Sequence, residues 1–500
     1  MITLYMLDPA DNVAVSFAAL SAGTEVSAGG RMISLCSDVP AGHKVAVSDI
    51  PAGAAVKKYG ASIGLALKEI RSGEHVHAHN LRTGLGERSE YRFDPADTDV
   101  SVFDGDLPGL SLYRRADGRC GVRNEIWVIP TVGCVNGIAA NAVNEFLKRR
   151  SGAGGVDGVY TFAHPYGCSQ LGDDHIRTRT LLQNMVLHPN AGGVLVLGLG
   201  CENNQVDTFI ETMPAGIDRS RIKFLEAQSV DDEIEEACRL LDEIYEVASS
   251  DSRSSAGWSD LVIGLECGGS DALSGITANP LIGMVSDHII ASGGSTILTE
   301  VPEMFGAEQA LFRQCREKGI FDRAVEMVNS YKDYYTAHGQ PVYENPSPGN
   351  KKGGITTLEE KSLGCIRKSG RAPVADVLKM DQMISRKGLN LLYAPGNDIV
   401  ATTALGTAGA QMVLFSTGRG TPLGGFIPTL KVASNSDLAE RKGGWIDFNA
   451  GVLAEDGSAG AGELLKAFLV KVADAANGGQ VAAERRGNRD IALFKSGVTL

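Results

Sequence analysis

Four apolar stretches of this chain each end in a cysteine: IWVIPTVGC at Cys134, GVYTFAHPYGC at Cys168, VLVLGLGC at Cys201 and LVIGLEC at Cys267. A short apolar run closed by turn residues reads as a strand buried on both faces. Between such runs lie stretches with helical spacing, among them AANAVNEFLKRR and VDDEIEEACRLLDEIYEVA. That alternation predicts α/β layers with mainly parallel strands. Ligands of open parallel sheets bind outside the carboxyl ends of the strands, which is where the four thiols fall. Thiolate is the soft donor that holds zinc, iron and iron–sulfur clusters, so Cys134, Cys168, Cys201 and Cys267 are candidate metal ligands that could converge in space. A free cysteine also packs as a small hydrophobe. Cys36, Cys120, Cys238, Cys315 and Cys365 lack the strand-end pattern and read that way.

Five hundred residues exceed what one core supports and imply several domains. Residues 1–95 differ from the rest: short β-type runs such as VAVSFAAL and KVAVSDI alternate with the turn signals VPAGHK, IPAGAA and RSGEH. They predict a small β-rich domain. Residues 96–110, rich in Asp, Pro and Gly, read as a linker. A Ser-rich break near 249–259 divides an α/β domain over 111–250 from a second one over 258–500. The formal charge of −13 argues against nucleic acid or an anionic membrane as the main partner, and no apolar run reaches the ~18 residues of a membrane span. Nine cysteines behind a start without a basic flank and apolar stretch give a cytoplasmic expectation.

The loops after the cysteines are dense in polar groups. His164 precedes Cys168, which runs into Asp173, Asp174 and His175; Cys201 runs into Glu202, Asn203 and Asn204; Cys267 leads to Ser270, Asp271 and Thr277. Buried polar groups at this density need partners, so metal or ligand is one reading and a satisfied turn network another. GLGCEN is a partial dinucleotide fingerprint that lacks its third glycine, and alone it is weak. Two further glycine-rich loops, ENPSPGNKKGG and FSTGRGTPLGG, carry Asn350, Lys351, Ser416, Thr417 and Arg419. Glycine lets backbone N–H groups approach an anion, and a guanidinium clamps a carboxylate through two hydrogen bonds. In GEHVHAHN, His75, His77 and His79 fall on one face of a strand, and His43 in PAGHK is a separate candidate.

Taken together, GVRNEIWVIPTVGCVNGIA, HPYGCSQLGDDH, GLGCENNQ, ECGGSDALSGITANP, ENPSPGNKKGG and STGRGTPLGG resemble the altronate/galactarate dehydratase family nearly end to end. The PAGHK and KYG segment resembles an SAF-type β-clip domain. The histidine ladder, GCSQLGDDH and CENNQ look like the branch acting on D-altronate. The resemblance implies an α/β multidomain enzyme with an SAF-like N-terminal domain, a cytoplasmic hydro-lyase that converts D-altronate to 2-dehydro-3-deoxy-D-gluconate. It implies a ferrous-iron requirement, with Mn²⁺ as the substitute ion and a small anionic sugar acid as partner; a homo-oligomer is left open.

Loss of water from a 2,3-dihydroxy acid needs a base for the C2 proton, charge stabilisation at the carboxylate and an acid for the C3 hydroxyl. His43 or His175 suits proton transfer near neutral pH. Asp271 suits orientation of such a base, and Lys351 and Arg419 suit the carboxylate. Ser270, Thr277, Asn350, Ser416 and Thr417 are candidate contacts to substrate hydroxyls. Iron has two readings: a mononuclear Fe²⁺ held by His164, cysteine and carboxylate groups, or a cluster on three of the four strand-end thiols. Competing functions are galactarate dehydration on the same chemistry, a nucleotide-dependent oxidoreductase, and a non-catalytic sugar-acid-binding metalloprotein with a closed four-ligand zinc site.

Overall fold

The computed structural model describes residues 2–86, 90–97, 99–150, 152, 154–455 and 460–500. In the N-terminal unit, Val13–Val15 pairs antiparallel with Lys44–Ala46, which in turn pairs with His75–Val76. A second small sheet joins Ala55–Lys58, Ala61–Ala66 and Leu81–Arg82. The strands are short because turn residues interrupt the chain before any of them lengthens. The last of them ends at Arg82, short of residue 95.

The described apolar residues of the expected linker 96–110, and of the segment before it, lie against the C-terminal unit. Leu85, Tyr91, Phe93, Val100, Phe103 and Leu107 pack against the core of the C-terminal unit, and Tyr91 stacks edge-on against Phe312 at 5.0 Å. The Phe103 N–H donates to His288 Nδ1 at 2.9 Å. The polar composition conceals a strap whose apolar side chains recur often enough to hold it down.

The middle unit is a four-stranded parallel sheet in the order Gly158–Thr161, Glu125–Pro130, Ala191–Gly198, Ile222–Glu226. The first strand in sequence is central; the chain moves to one side for the second and to the other for the third. The C-terminal unit repeats that plan with seven parallel strands: Val374–Leu378, Gly388–Leu392, Ser295–Leu298, Val262–Cys267, Met412–Thr417, Thr429–Ala433 and Phe448–Asn449. Its first strand, Val262–Cys267, lies beside its fifth, Met412–Thr417, with Cys267 opposite Ser416. Each sheet therefore has a topological switch point, where connections leave in opposite directions and a crevice opens at the carboxyl ends. Helices cover both faces, and the central strands are buried apart from the half-buried first residues Ala191 and Val262.

The two sheets share a core. Trp127, Phe162, Leu181 and Val196 of the middle unit belong to one apolar cluster with Leu392, Phe415, Phe426 and Ile491 of the C-terminal unit. Among the described residues no helix is long and apolar enough to cross a membrane.

Candidate active site at the switch point of the seven-stranded sheet

The loops Gly268–Thr277 and Gly418–Gly425 leave the two strands that flank the switch point. Backbone N–H groups of Gly418 and Arg419 donate to the Gly269 carbonyl at 3.1 and 2.8 Å, which closes one loop on the other. Asp271 sits between them. One of its carboxylate oxygens accepts from Ser274 N and Oγ at 2.8 Å each and from Ser434 Oγ at 2.7 Å; the other accepts from Asn435 Nδ2 at 2.9 Å. Thr277 Oγ1 donates to the Leu273 and Ser434 carbonyls, Ser416 Oγ donates to Asn279 Oδ1, and Thr417 Oγ1 accepts from Gly420 N. These side chains build the walls of the crevice. The Arg419 side chain is exposed and makes no hydrogen bond or ion pair among the described residues. It faces a cleft of about 670 Å³ lined also by Gly42, Asp271, Lys352, Asn435 and Lys442.

The N-terminal unit covers this crevice. Loop 347–356 is held by Asn350, which caps Ser347 and donates from Nδ2 to the Ser270 carbonyl at 2.7 Å. Gly354 needs to be glycine because a Cβ there would meet the Gly42 carbonyl at 2.8 Å. So the KKGG turn is shaped by the PAGHK turn that lands on it, rather than opened for an anion. Lys44 is buried and gives its ammonium to the Gly354 carbonyl at 2.8 Å, Thr356 Oγ1 at 2.9 Å and Glu360 at 2.8 Å. Lys58 reaches the other Glu360 oxygen at 2.9 Å. Burial opposes ionisation of Glu360, but the two ammonium groups outweigh it and hold the carboxyl at about 2.

This clasp delivers the histidines. His43 Nδ1 lies 2.9 Å from His75 Nε2, and the His43 and His77 rings stack at 5.1 Å. His77 Nε2 donates to the Lys351 carbonyl at 3.0 Å, so the backbone of Lys351 orients an imidazole. His75 is in a strand whereas His77 and His79 lie in the turn after it, and the rings still gather. Burial, then His77 and Lys44, hold His43 at about 4; burial, then His43 and His77, hold His75 at about 3. Both imidazoles are neutral at pH 7 and able to accept a proton. His175 is elsewhere, on helix Gly172–Val186 of the middle unit with Arg179 as its charged neighbour.

Beneath the crevice lies a group of buried acids and thiols. Cys267 and Cys365 have sulfurs 3.4 Å apart, and both donate to Glu303 Oε2, at 2.9 and 3.0 Å. Glu266, Glu300 and Asp398 bring three carboxylate oxygens within 4.8 Å of one another. Both oxygens of Glu266 and one of Glu300 are buried without a partner. Lys361 contacts Glu303 at 2.5 Å and Lys368 contacts Glu300 at 3.5 Å. Four carboxyl groups thus meet two ammonium groups, so their full ionisation would leave two negative charges, which one divalent cation would balance. Burial first, then Glu300 and Asp398, push Glu266 well above the ordinary carboxylate range; burial and Glu303 push Asp398 to about 6. Glu300 sits in left-handed backbone, φ 67°, a strain that recurs at functional sites. Gly268 packs directly on the group, since a Cβ there would fall 2.1 Å from Asp398 Oδ2.

Two expectations are corrected here. The four thiols do not share one sheet: Cys134, Cys168 and Cys201 lie in the loops that follow strands of the middle sheet and are exposed, whereas Cys267 is the buried last residue of a strand in the other unit. Its partner is Cys365, which the strand-end pattern passed over. His164 is not a free metal ligand, because Nε2 donates to the Pro130 carbonyl and Nδ1 accepts from Tyr166 N. The GLGCEN turn is also closed to a nucleotide phosphate, since Glu202 already takes the N–H groups of Leu199 and Gly200 at 3.0 and 2.6 Å.

Three family profiles cover the chain: altronate/galactarate dehydratase SAF domain over residues 3–84, D-galactarate dehydratase/altronate hydrolase second domain over 112–249, and D-galactarate/altronate dehydratase C-terminal over 258–499. The chain belongs to the altronate/galactarate dehydratase family. It is 57% identical to altronate dehydratase of Escherichia coli K12 and 49% identical to that of Bacillus subtilis 168, in each case over 98% of both chains. It is 33% identical to the L-threo-forming galactarate dehydratase of E. coli K12, over 89% of this chain and 87% of that one. In this member of the altronate/galactarate dehydratase family, the first and third matched regions meet at the switch point of the seven-stranded sheet, and the second has a switch point of its own.

Proposed function

We infer that this chain is a hydro-lyase that removes water from D-altronate to give 2-dehydro-3-deoxy-D-gluconate. The observation that carries the substrate is the identity to two altronate dehydratases over 98% of the length. The geometry supplies the chemistry. The Arg419 side chain takes the substrate carboxylate, with Lys352 also lining the cleft. Neutral His43, held by His75 and Lys44, accepts the C2 proton as the enediolate forms. The C3 hydroxyl leaves with a proton from the crevice, and the enol ketonises.

Ferrous iron fits the buried group under Gly268. Oxygen donors from Glu266, Glu300 and Asp398 suit Fe²⁺ or Mn²⁺, the orphaned Glu266 oxygens lack any other partner, and one divalent cation balances the local charge. When bound, the metal supplies a Lewis acid for the carboxylate or the leaving oxygen. Replacing Glu266 with glutamine is expected to weaken ferrous binding roughly 10–100-fold. Iron titration of the chelated protein, followed by calorimetry, reads this directly; unchanged affinity removes Glu266 from the site.

Turnover of D-altronate and galactarate, followed as 2-keto acid, tests the substrate. Altronate is expected to have the larger kcat/KM, and the reverse order would move the chain to the galactarate reading. Arg419→Met is expected to cost about 2–4 kcal/mol of transition-state binding, chiefly in KM, since the substrate carboxylate loses its guanidinium partner. An unaltered KM for altronate would place the carboxylate elsewhere.

A further inference from the structure

The middle unit has its own switch point, between Glu125–Pro130 and Ala191–Gly198, and the chemistry above leaves it unused. Three thiols stand there. Cys134 follows the central strand, Cys201 follows the neighbour on one side and Cys168 the neighbour on the other. All three are exposed, although free cysteine is among the most buried residue types; of the other six cysteines only Cys36 is exposed.

Hydrogen bonds join the three loops. Gly133 N donates to the Tyr166 carbonyl at 2.8 Å, and Asn204 N donates to the Gly167 carbonyl at 3.0 Å. Ser169 N donates to Asn203 Oδ1 at 2.9 Å, and Asn204 Nδ2 donates to the Thr131 carbonyl at 3.0 Å. Beside Cys168, Ser169 is held in left-handed backbone, φ 59°, a conformation costly for a residue with a side chain. Glu202 folds back onto the amides of its own turn and leaves Cys201 facing out.

Polar groups of these loops and their neighbours contact the sulfurs or lack a protein partner. Gln228 Nε2 donates to Cys201 Sγ at 3.7 Å and Ser169 Oγ to Cys168 Sγ at 3.9 Å, contacts that favour sulfur carrying negative charge. Gln170 Nε2, Asn204 Oδ1 and His175 Nδ1, all in or directly after these loops, are buried with no partner.

We propose that Cys134, Cys168 and Cys201 form a three-thiolate seat for an iron–sulfur cluster of the [4Fe–4S] class, with the fourth iron open to a non-thiolate ligand. Each thiol gives its proton to solvent on binding. Three soft donors on three fixed strand ends match the thiolate ligation of such clusters, and the amide and hydroxyl donors around the sulfurs are of the kind that tune them. This site is separate from the oxygen-rich group under Gly268 and does not depend on it.

The test uses the full chain, isolated without oxygen and reconstituted with ferric iron, dithiothreitol and sulfide. Expected are about four iron and four acid-labile sulfide per chain, with broad visible absorption. Cys134→Ser, Cys168→Ser and Cys201→Ser should each lower bound sulfide roughly tenfold or more, whereas Cys36→Ser and Cys267→Ser should retain it. Should a serine variant fail to fold, alkylation of the wild type gives an independent reading: reconstitution should shield Cys134, Cys168 and Cys201 and leave Cys36 reactive. Absence of sulfide, iron bound to these thiols without sulfide, or sulfide that survives removal of all three thiols would each overturn the proposal. Iron affinity that changes in Glu266→Gln while sulfide does not would separate the two sites.

Discussion

Glu360→Ala is expected to destabilise the folded chain by roughly 3–5 kcal/mol, because it strands two buried ammonium groups around a missing carboxylate. Lys44 and Lys58 come from the N-terminal unit and Glu360 from the C-terminal one, so the loss falls on the docking of the two. Thermal unfolding together with limited proteolysis of residues 2–86 reads the effect. A melting temperature and cleavage pattern equal to wild type would show that the clasp holds nothing. The pH dependence has a definite sign. Glu360, at about 2 against an ordinary 4.5, contributes stability that is present above pH 4.5 and lost as the pH falls toward 2. His43 and His75, at about 4 and about 3 against 6.5, contribute stability present above 6.5 and lost as the pH falls through those values. Both effects loosen the N-terminal unit in acid, and Glu360→Gln should flatten the part of that slope below pH 4.5.

The second large effect is catalytic. His43→Ala is expected to lower kcat roughly 10²–10⁴-fold while the protein remains folded, the range for removing a positioned general base. His75 is expected to act through His43: its ring nitrogen, 2.9 Å away, fixes the tautomer that leaves a lone pair for substrate. If His43 is the base, the acid limb of kcat/KM for wild type should fall near pH 4 rather than near 6.5, since burial and its cationic neighbour keep it neutral down to that range. Full turnover in His43→Ala would exclude it, and a limb near 6.5 would mean that another group accepts the proton.

Much of this molecule is legible in its sequence. Buried apolar runs alternating with helical spacing specify parallel α/β layers, and short runs between glycine turns specify a β-rich N-terminal unit, because both patterns are local. Motif blocks in fixed order carried the family and the hydro-lyase chemistry. The strand-end position of Cys134, Cys168, Cys201 and Cys267 was local as well, and all four do follow parallel strands.

What sequence could not decide was company. The strand-end rule says at which end of a sheet a thiol stands, but nothing about which sheet, so Cys267 parted from the other three. Glu303, Asp398, Lys361 and Cys365 carry no motif and come from segments far apart in the chain. Their meaning lies in burial beside one another, where an unpaired charge is costly and a cation becomes the natural counterpart. The histidines likewise became a site only when Lys44 and Lys58 closed on Glu360, about 300 residues away, and laid one domain over the crevice of another. Local pattern determined the elements and the ends at which chemistry could occur; long-range packing and charge balance decided which groups meet there.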